Sequence, residues 1–335
     1  MRNKILIFSL CLLFYFKGKA QDLHYSQFYN SPLNTNPALI GIFNGDQRFN
    51  LSYRNQWKFV PVTWTTFSLA YDRKYYLEDD KHFLGFGGNL NYDRQGDSKL
   101  TLTGINVGAS YTRKLTKNHL IGGGAMLGFS TRAFNTTNLT WDKQWDGVSF
   151  NPNAPSGENF NFQRVNMLET ALGVNYRYQQ SSRTFVDAGI GAYHLHQPST
   201  TFYNTPSQSL PIHLTLNAVG NIQLMSSLDL QLSALHQIQE KYKETLIGGL
   251  IKFYVNQKRG KETQVHAGLA YRTAGSTIPT IAIQYNEWYA SFSYDLDATN
   301  FNKIVSSNRG GPEFHVRYII KSVRPLAERK ICPIY

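Results

Sequence analysis

The stretch "NMLETALGVNYRYQ" alternates. Leu168, Thr170, Leu172, Val174, Tyr176 and Tyr178 share one parity, and Met167, Glu169, Ala171, Gly173, Asn175 and Arg177 the other. Period two belongs to a β-strand with one apolar and one polar face. "TQVHAGLAYRT" and "SLDLQLSALHQ" repeat the pattern. Fourteen such runs are legible, near 47–57, 63–74, 83–92, 100–113, 119–132, 166–179, 184–194, 211–224, 226–237, 244–255, 263–273, 279–286, 288–296 and 313–322. Each is about ten residues, the length a tilted strand needs to cross a bilayer's hydrocarbon. Tyrosines at the ends of the apolar stripes suit the membrane interface.

The connections sharpen this. After the even-numbered runs they are mostly short and polar, for example "KLTKN", "QQSS" and "NE". After the fifth, seventh and thirteenth they are long: 133–165, 195–210 and 297–312. In an up-and-down chain the long ones fall on one side. Short periplasmic turns opposite long extracellular loops are the outer-membrane barrel pattern. The expected fold is all-β: a transmembrane, antiparallel, up-and-down β-barrel of about 14 strands over 47–322, with both ends of the chain in the periplasm.

Composition and targeting agree. Tyr and Phe number 21 each and Gly 26, and no apolar run is long enough for a spanning helix. Residues 1–20 read as a signal peptide, with Arg2 and Lys4 ahead of an apolar run from Ile5 to Phe16 and a cut after Ala20. The formal charge is +12; Arg2, Lys4, Lys17 and Lys19 account for four, leaving +8 on the mature chain. No block of Lys/Arg exceeds two residues, which argues against nucleic acid and for anionic outer-membrane lipid or acidic partners. Cys11 is discarded with the leader. Cys332 remains alone and reads as a tail thiol.

Outside the strands, residues 21–46 contain "SPLNTNPALIG", too rich in Pro and Asn to span. This segment is expected to fold at the periplasmic mouth or to enter the lumen as a strap, with Asn36 capping a turn at Pro37. In "YRNQW", Trp57 suits the headgroup level. Arg54 points inward, where it pins the first hairpin through loop carbonyls or a carboxylate, or meets a ligand. Residues 323–335 form a periplasmic tail, either docking a partner or disordered. Loop 133–165 carries Trp141 and Trp145 among Asn, Asp and Gly, a composition suited to recognition or to a self-packed cover.

The remaining constellations point to no chemistry. His194 and His196 read as rim histidines, because no Cys or carboxylate nearby in sequence completes a metal set. Asp187, His266, Glu169 and Arg177 are expected to form a lumenal polar network. "IGGGAMLGF" is a close-packed strand or a bend rather than a phosphate loop, and Glu78-Asp79-Asp80 is a solvated turn. No catalytic set, cofactor site or metal site is expected.

Gln21-Asp22, Ser26 to Phe28, Asn36-Pro37-Ala38 followed by Gly41, Tyr53-Arg54-Asn55-Gln56-Trp57, and the ending Cys332-Pro333 with Tyr335 stand in this order along the chain. In these segments the sequence resembles the PorP/SprF family of type IX secretion. The resemblance implies a non-enzymatic outer-membrane barrel. It would support secretion or surface attachment of proteins that carry a type IX C-terminal domain, gliding adhesins among them. Implied partners are such a secreted protein and periplasmic ring or peptidoglycan-binding components. The positions marked for partner contact are Trp141, Trp145, Arg54, Trp57, Asn36, Pro37, Cys332 and Tyr335. The competing function is a channel for a small solute; a strap-blocked lumen favours the first, an open water path the second.

Overall fold

The computed structural model describes residues 22–56, 63–77, 82–137, 139–158, 162–203, 208–273, 275–297 and 310–321. The expected leader, the tail with Cys332 and Tyr335, Trp57 and the Glu78–Asp80 turn lie outside them.

Among these residues the strands are β1 Gln47–Gln56, β2 Trp64–Tyr76, β3 His82–Gln95, β4 Leu100–Lys114, β5 His119–Ala133, β6 Arg164–Gln179, β7 Phe185–Tyr193, β8 His213–Met225, β9 Leu228–Gln239, β10 Tyr242–Asn256, β11 Thr263–Arg272, β12 Ser276–Tyr285, β13 Trp288–Tyr294, β14 Leu296–Asp297 and β15 Pro312–Ile320. Every pairing is antiparallel. Neighbours in sequence pair from β1 to β13, β13 pairs with β15, and β15 returns to β1 with Tyr53 opposite Phe314. The ladder therefore closes, and β14 is only a two-residue extension on β12. Closure removes the unpaired edges that hydrocarbon does not tolerate. Observed strand ends lie within three residues of those read from the alternation.

The molecule is inside-out relative to a soluble protein. Asn50, Ser52, Thr66, Ser68, Asp72 and Asn91 are buried, while Leu69, Ile105, Val107, Leu127, Leu172 and Ile247 on the alternate parity are exposed. A continuous apolar belt of this kind is a lipid-facing surface. Tyr75, Tyr111, Tyr176, Tyr285 and Trp288 stand exposed toward the short-turn end, where an interfacial girdle belongs.

One expected strand is corrected. The run 288–296 breaks at Asp295, whose side chain is fully buried. Its backbone N–H still bonds Gly311 O at 3.0 Å, and the chain resumes as β14 against β12.

Residues 22–46 enter the lumen. They form three single 3-10 turns, Phe28–Asn30, Pro32–Asn34 and Pro37–Leu39. The last is capped by Asn36, whose Oδ1 accepts the Ala38 N–H at 2.9 Å. The few inward apolar residues of the wall lie under this strap: Leu33 and Ile40 pack with Ala70, Met126 and Ala171, and Phe28 with Leu235, Leu246 and Ile278. Burying each of the three strap side chains stabilises by about 1.5–3 kcal/mol. The glycine run reads out here as close packing. A Cβ on Gly124 would stand 2.4 Å from Pro37 O, and one on Gly173 would stand 2.0 Å from Asn36 Oδ1. Glycine at these inward positions lets the strap lie against the bare wall.

Candidate functional site

Three ion-paired clusters hold the strap, beside its amide and hydroxyl contacts to the wall. Near the short-turn end, Arg48 forms a two-pronged ion pair with Asp72, Nε–Oδ1 2.8 Å and Nη2–Oδ2 2.7 Å. Asp72 also accepts the Gly41 N–H at 2.7 Å, and Arg48 donates to Leu39 O at 3.2 Å. One wall carboxylate thus fixes both an arginine and the strap backbone.

At the loop end lies a larger buried cluster. Arg54 Nη2 meets Asp295 Oδ2 at 2.7 Å, and Arg272 Nη1 meets the same oxygen at 3.1 Å. Glu313 accepts the consecutive N–H groups of Ser26 and Gln27, at 2.8 and 2.7 Å, and pairs with His315 at 2.7 Å. Arg54 also donates to His24 O at 2.7 Å, and Ser26 Oγ donates to Asp295 at 2.8 Å. Arg54 is 2% exposed. As expected it points inward and meets a carboxylate and a carbonyl; among the described residues the carbonyl it meets belongs to the strap, which it anchors. A buried charge needs both an opposite charge and hydrogen bonds, and this cluster supplies both.

The third anchor corrects the histidine reading. His194 takes a left-handed backbone, φ 56°, just past the end of β7, which turns its ring inward. Nδ1 meets Glu169 at 2.5 Å and Nε2 meets Asp22 at 2.6 Å. His213 adds a contact to Asp22 at 3.2 Å. Two carboxylates do flank His194, both remote in sequence, while His196 turns away to Thr170. The expected four-residue network is likewise split. Asp187 pairs with Arg177 at 3.1 Å, but Glu169 serves His194, and His266 bonds Gln264 and stands beside Tyr289.

Burial opposes the charged form of His194, but Asp22 and Glu169 outweigh it and hold the ring's pKa up at about 10, from an ordinary 6.5. The stabilisation is therefore complete below about pH 6.5 and is lost as pH rises through about 10. Proteinase K cleavage within residues 22–27 should rise with a midpoint near pH 10. A His194→Gln variant should be cut faster at pH 7 and equally above the midpoint. A difference between the two proteins that does not vary with pH would remove the charge from this account.

Loop 133–165 combines the two readings made of it. Gln144 is its buried centre: its side chain bonds Trp141 N at 2.9 Å, Pro152 O at 3.2 Å and Ala154 O at 3.1 Å. Around this frame Trp141 is half-buried, whereas Trp145 is 55% and Val148 87% exposed. A self-packed base carries an apolar tip. Phe134 and Phe202, centroids 4.6 Å apart, tie this loop to the one after β7.

The marked residues do not form one site. Asn36, Pro37 and Arg54 belong to the strap and its wall, and Trp141 and Trp145 to the outer loop. Sequence reading missed Asp22, Asp72, Arg272, Asp295 and Glu313; a lone charge at inward parity was the available signal for most of them. The strap lies between two lumenal cavities that share no lining residue: one of about 60 Å³ beside Asn34 and His194 on the loop side, and one of about 530 Å³ on the short-turn side.

A family model described as "Type IX secretion system membrane protein PorP/SprF" matches residues 17–318. The chain belongs to the PorP/SprF family. No curated protein matches this PorP/SprF chain. Among solved structures it is similar to the Ralstonia pickettii toluene transporter TbuX, with 11% identity, TM-score 0.50, and coverage of 86% of this chain and 92% of that one. It is also similar to a Pseudomonas aeruginosa FadL homologue, with 11% identity, TM-score 0.51, and coverage of 84% and 91%. At such identity these likenesses establish the barrel fold that PorP/SprF proteins share with them, and no more.

Proposed function

We propose that this PorP/SprF protein is a non-enzymatic outer-membrane barrel with a plugged lumen. It supports type IX secretion or surface attachment of proteins carrying a type IX C-terminal domain, gliding adhesins included. The observation that carries this reading is the strap. Polar contacts from Asp22 to Gly41 reach wall strands on every side of the lumen, from β2 through β9 to β15. A barrel filled in this way serves as a rigid platform more readily than as a solute path. The exposed tip at Trp145 and Val148 supports placing the client on the loop side. Periplasmic ring or peptidoglycan-binding components then meet the short-turn side.

The second reading, a channel for a small solute, draws on the likeness to a toluene transporter. It requires the strap to move.

The test is a pull-down of the barrel from mild-detergent membranes. A large exported protein with a type IX C-terminal domain should co-purify. Trp145→Ala should reduce its recovery about tenfold or more. A barrel that comes out alone and conducts ions in a planar bilayer would favour the channel instead.

A further inference from the structure

The cavity of about 530 Å³ on the short-turn side has the size of a ligand site. Its ceiling is the strap, through Phe28, Tyr29 and Phe43, and its mouth lies among the β10–β11 and β12–β13 turns. Six Lys/Arg line it against four Asp/Glu, so it is basic. Arg48, Arg177 and Arg183 are each engaged by an aspartate. Among the described residues Lys252 and Arg317 form no ion pair. The one carboxylate opposite Lys252 across the ladder, Asp229, is taken by Arg183 at 2.6 Å, Tyr254 at 2.8 Å and Asn221 at 3.2 Å.

These two cations stand on one continuous belt of wall. Lys252 is opposite His266 in the β10–β11 ladder, the His266 and Tyr289 rings lie 5.6 Å apart, and Tyr289 is opposite Arg317 in the β13–β15 ladder. The Arg317 guanidinium stacks over Tyr289 with its carbon 4.4 Å from the ring centroid. Stacking occupies the face of the fork and leaves its N–H edges free, the geometry that grips a carboxylate in two places. Gln231, Gln264 and Gln284 line the same wall and offer amides that match a peptide backbone.

We propose that this half of the lumen binds an acidic peptide segment entering from the short-turn mouth, with its carboxylates held by Lys252 and Arg317. The site is read from the wall alone and stands whether or not the client docks on the outer loops.

The experiment is fluorescence anisotropy on the full-length barrel in detergent at low salt, with labelled tetraglutamate and tetraglutamine peptides as probes. The glutamate peptide should bind about tenfold or more tightly than the glutamine peptide. Lys252→Gln/Arg317→Gln should weaken it by about tenfold or more, and Lys252→Arg should retain binding. Heat-shifted gel mobility shows that each variant is folded. Equal binding of the two peptides, or a folded double variant that binds as the native protein does, overturns the proposal. Displacement by inorganic phosphate at equimolar concentration would also overturn it, by assigning the site to a small anion.

Discussion

Deleting residues 22–43 opens the barrel to ions. The native protein should give no conductance steps in a planar bilayer, and the deletion variant should give discrete open steps. The ladder closes without the strap, since β1 pairs with both β2 and β15, and residues from Asn44 onward still lead into β1. Removing the strap leaves Arg54, Arg272, Asp295 and Glu313 facing water rather than their contacts on His24, Ser26 and Gln27. A lumen lined by charges then fills with water, as in other wide polar barrels. Deletion variants that insert, shift on heating like a folded barrel and still stay silent would show that the strap is not what closes the lumen.

Glu313→Ala should cost about 3–5 kcal/mol, because it leaves buried partners of a charge unpaired. Three groups lose their acceptor at once, the N–H groups of Ser26 and Gln27 and the His315 ring, and Arg54 loses a carboxylate 3.7 Å away. Urea unfolding in lipid vesicles measures the loss, and protease access to residues 22–27 measures release of the strap. Arg54→Ala should also destabilise, and the double variant should lose less than the two single losses added, since the residues share one cluster. Glu262→Ala, at the cavity mouth, should stay within about 0.5 kcal/mol of the native protein. A Glu313→Ala loss no larger than that would remove Glu313 as an anchor.

Most of the barrel is legible in the sequence, and the reason is local. Whether Leu172 faces lipid and Asn175 the lumen follows from parity, because a strand's side chains alternate whatever its neighbours are. Turn length is local too, so "QQSS" against the long run at 133–165 gave the two sides of the barrel. The Asn36 cap was equally legible, because an Asn before Pro completes its hydrogen bond two residues on.

The strap's anchorage was not legible. Ser26 and Glu313 are separated by 287 residues, and Asp22 and His194 by 172. No periodicity relates such pairs; only folding the strap into the closed ring brings them together. His194 shows the difference sharply. Its sequence neighbourhood lacks a carboxylate, and its partners arrive from the strap and from β6. Asp295 is similar: it sits in an alternating run and would be read as strand, until Arg54 and Arg272 converge on it from other strands.

The amino-acid sequence by itself determined an inside-out, closed sheet, because alternation and turn length act over a few residues and set which face meets lipid. The tertiary structure decided how the strap enters the lumen, which charges hold it, and where, among the described residues, Lys252 and Arg317 are left without a carboxylate. Those outcomes depend on which inward positions meet across the closed ring, and that is set by strand register around the whole barrel.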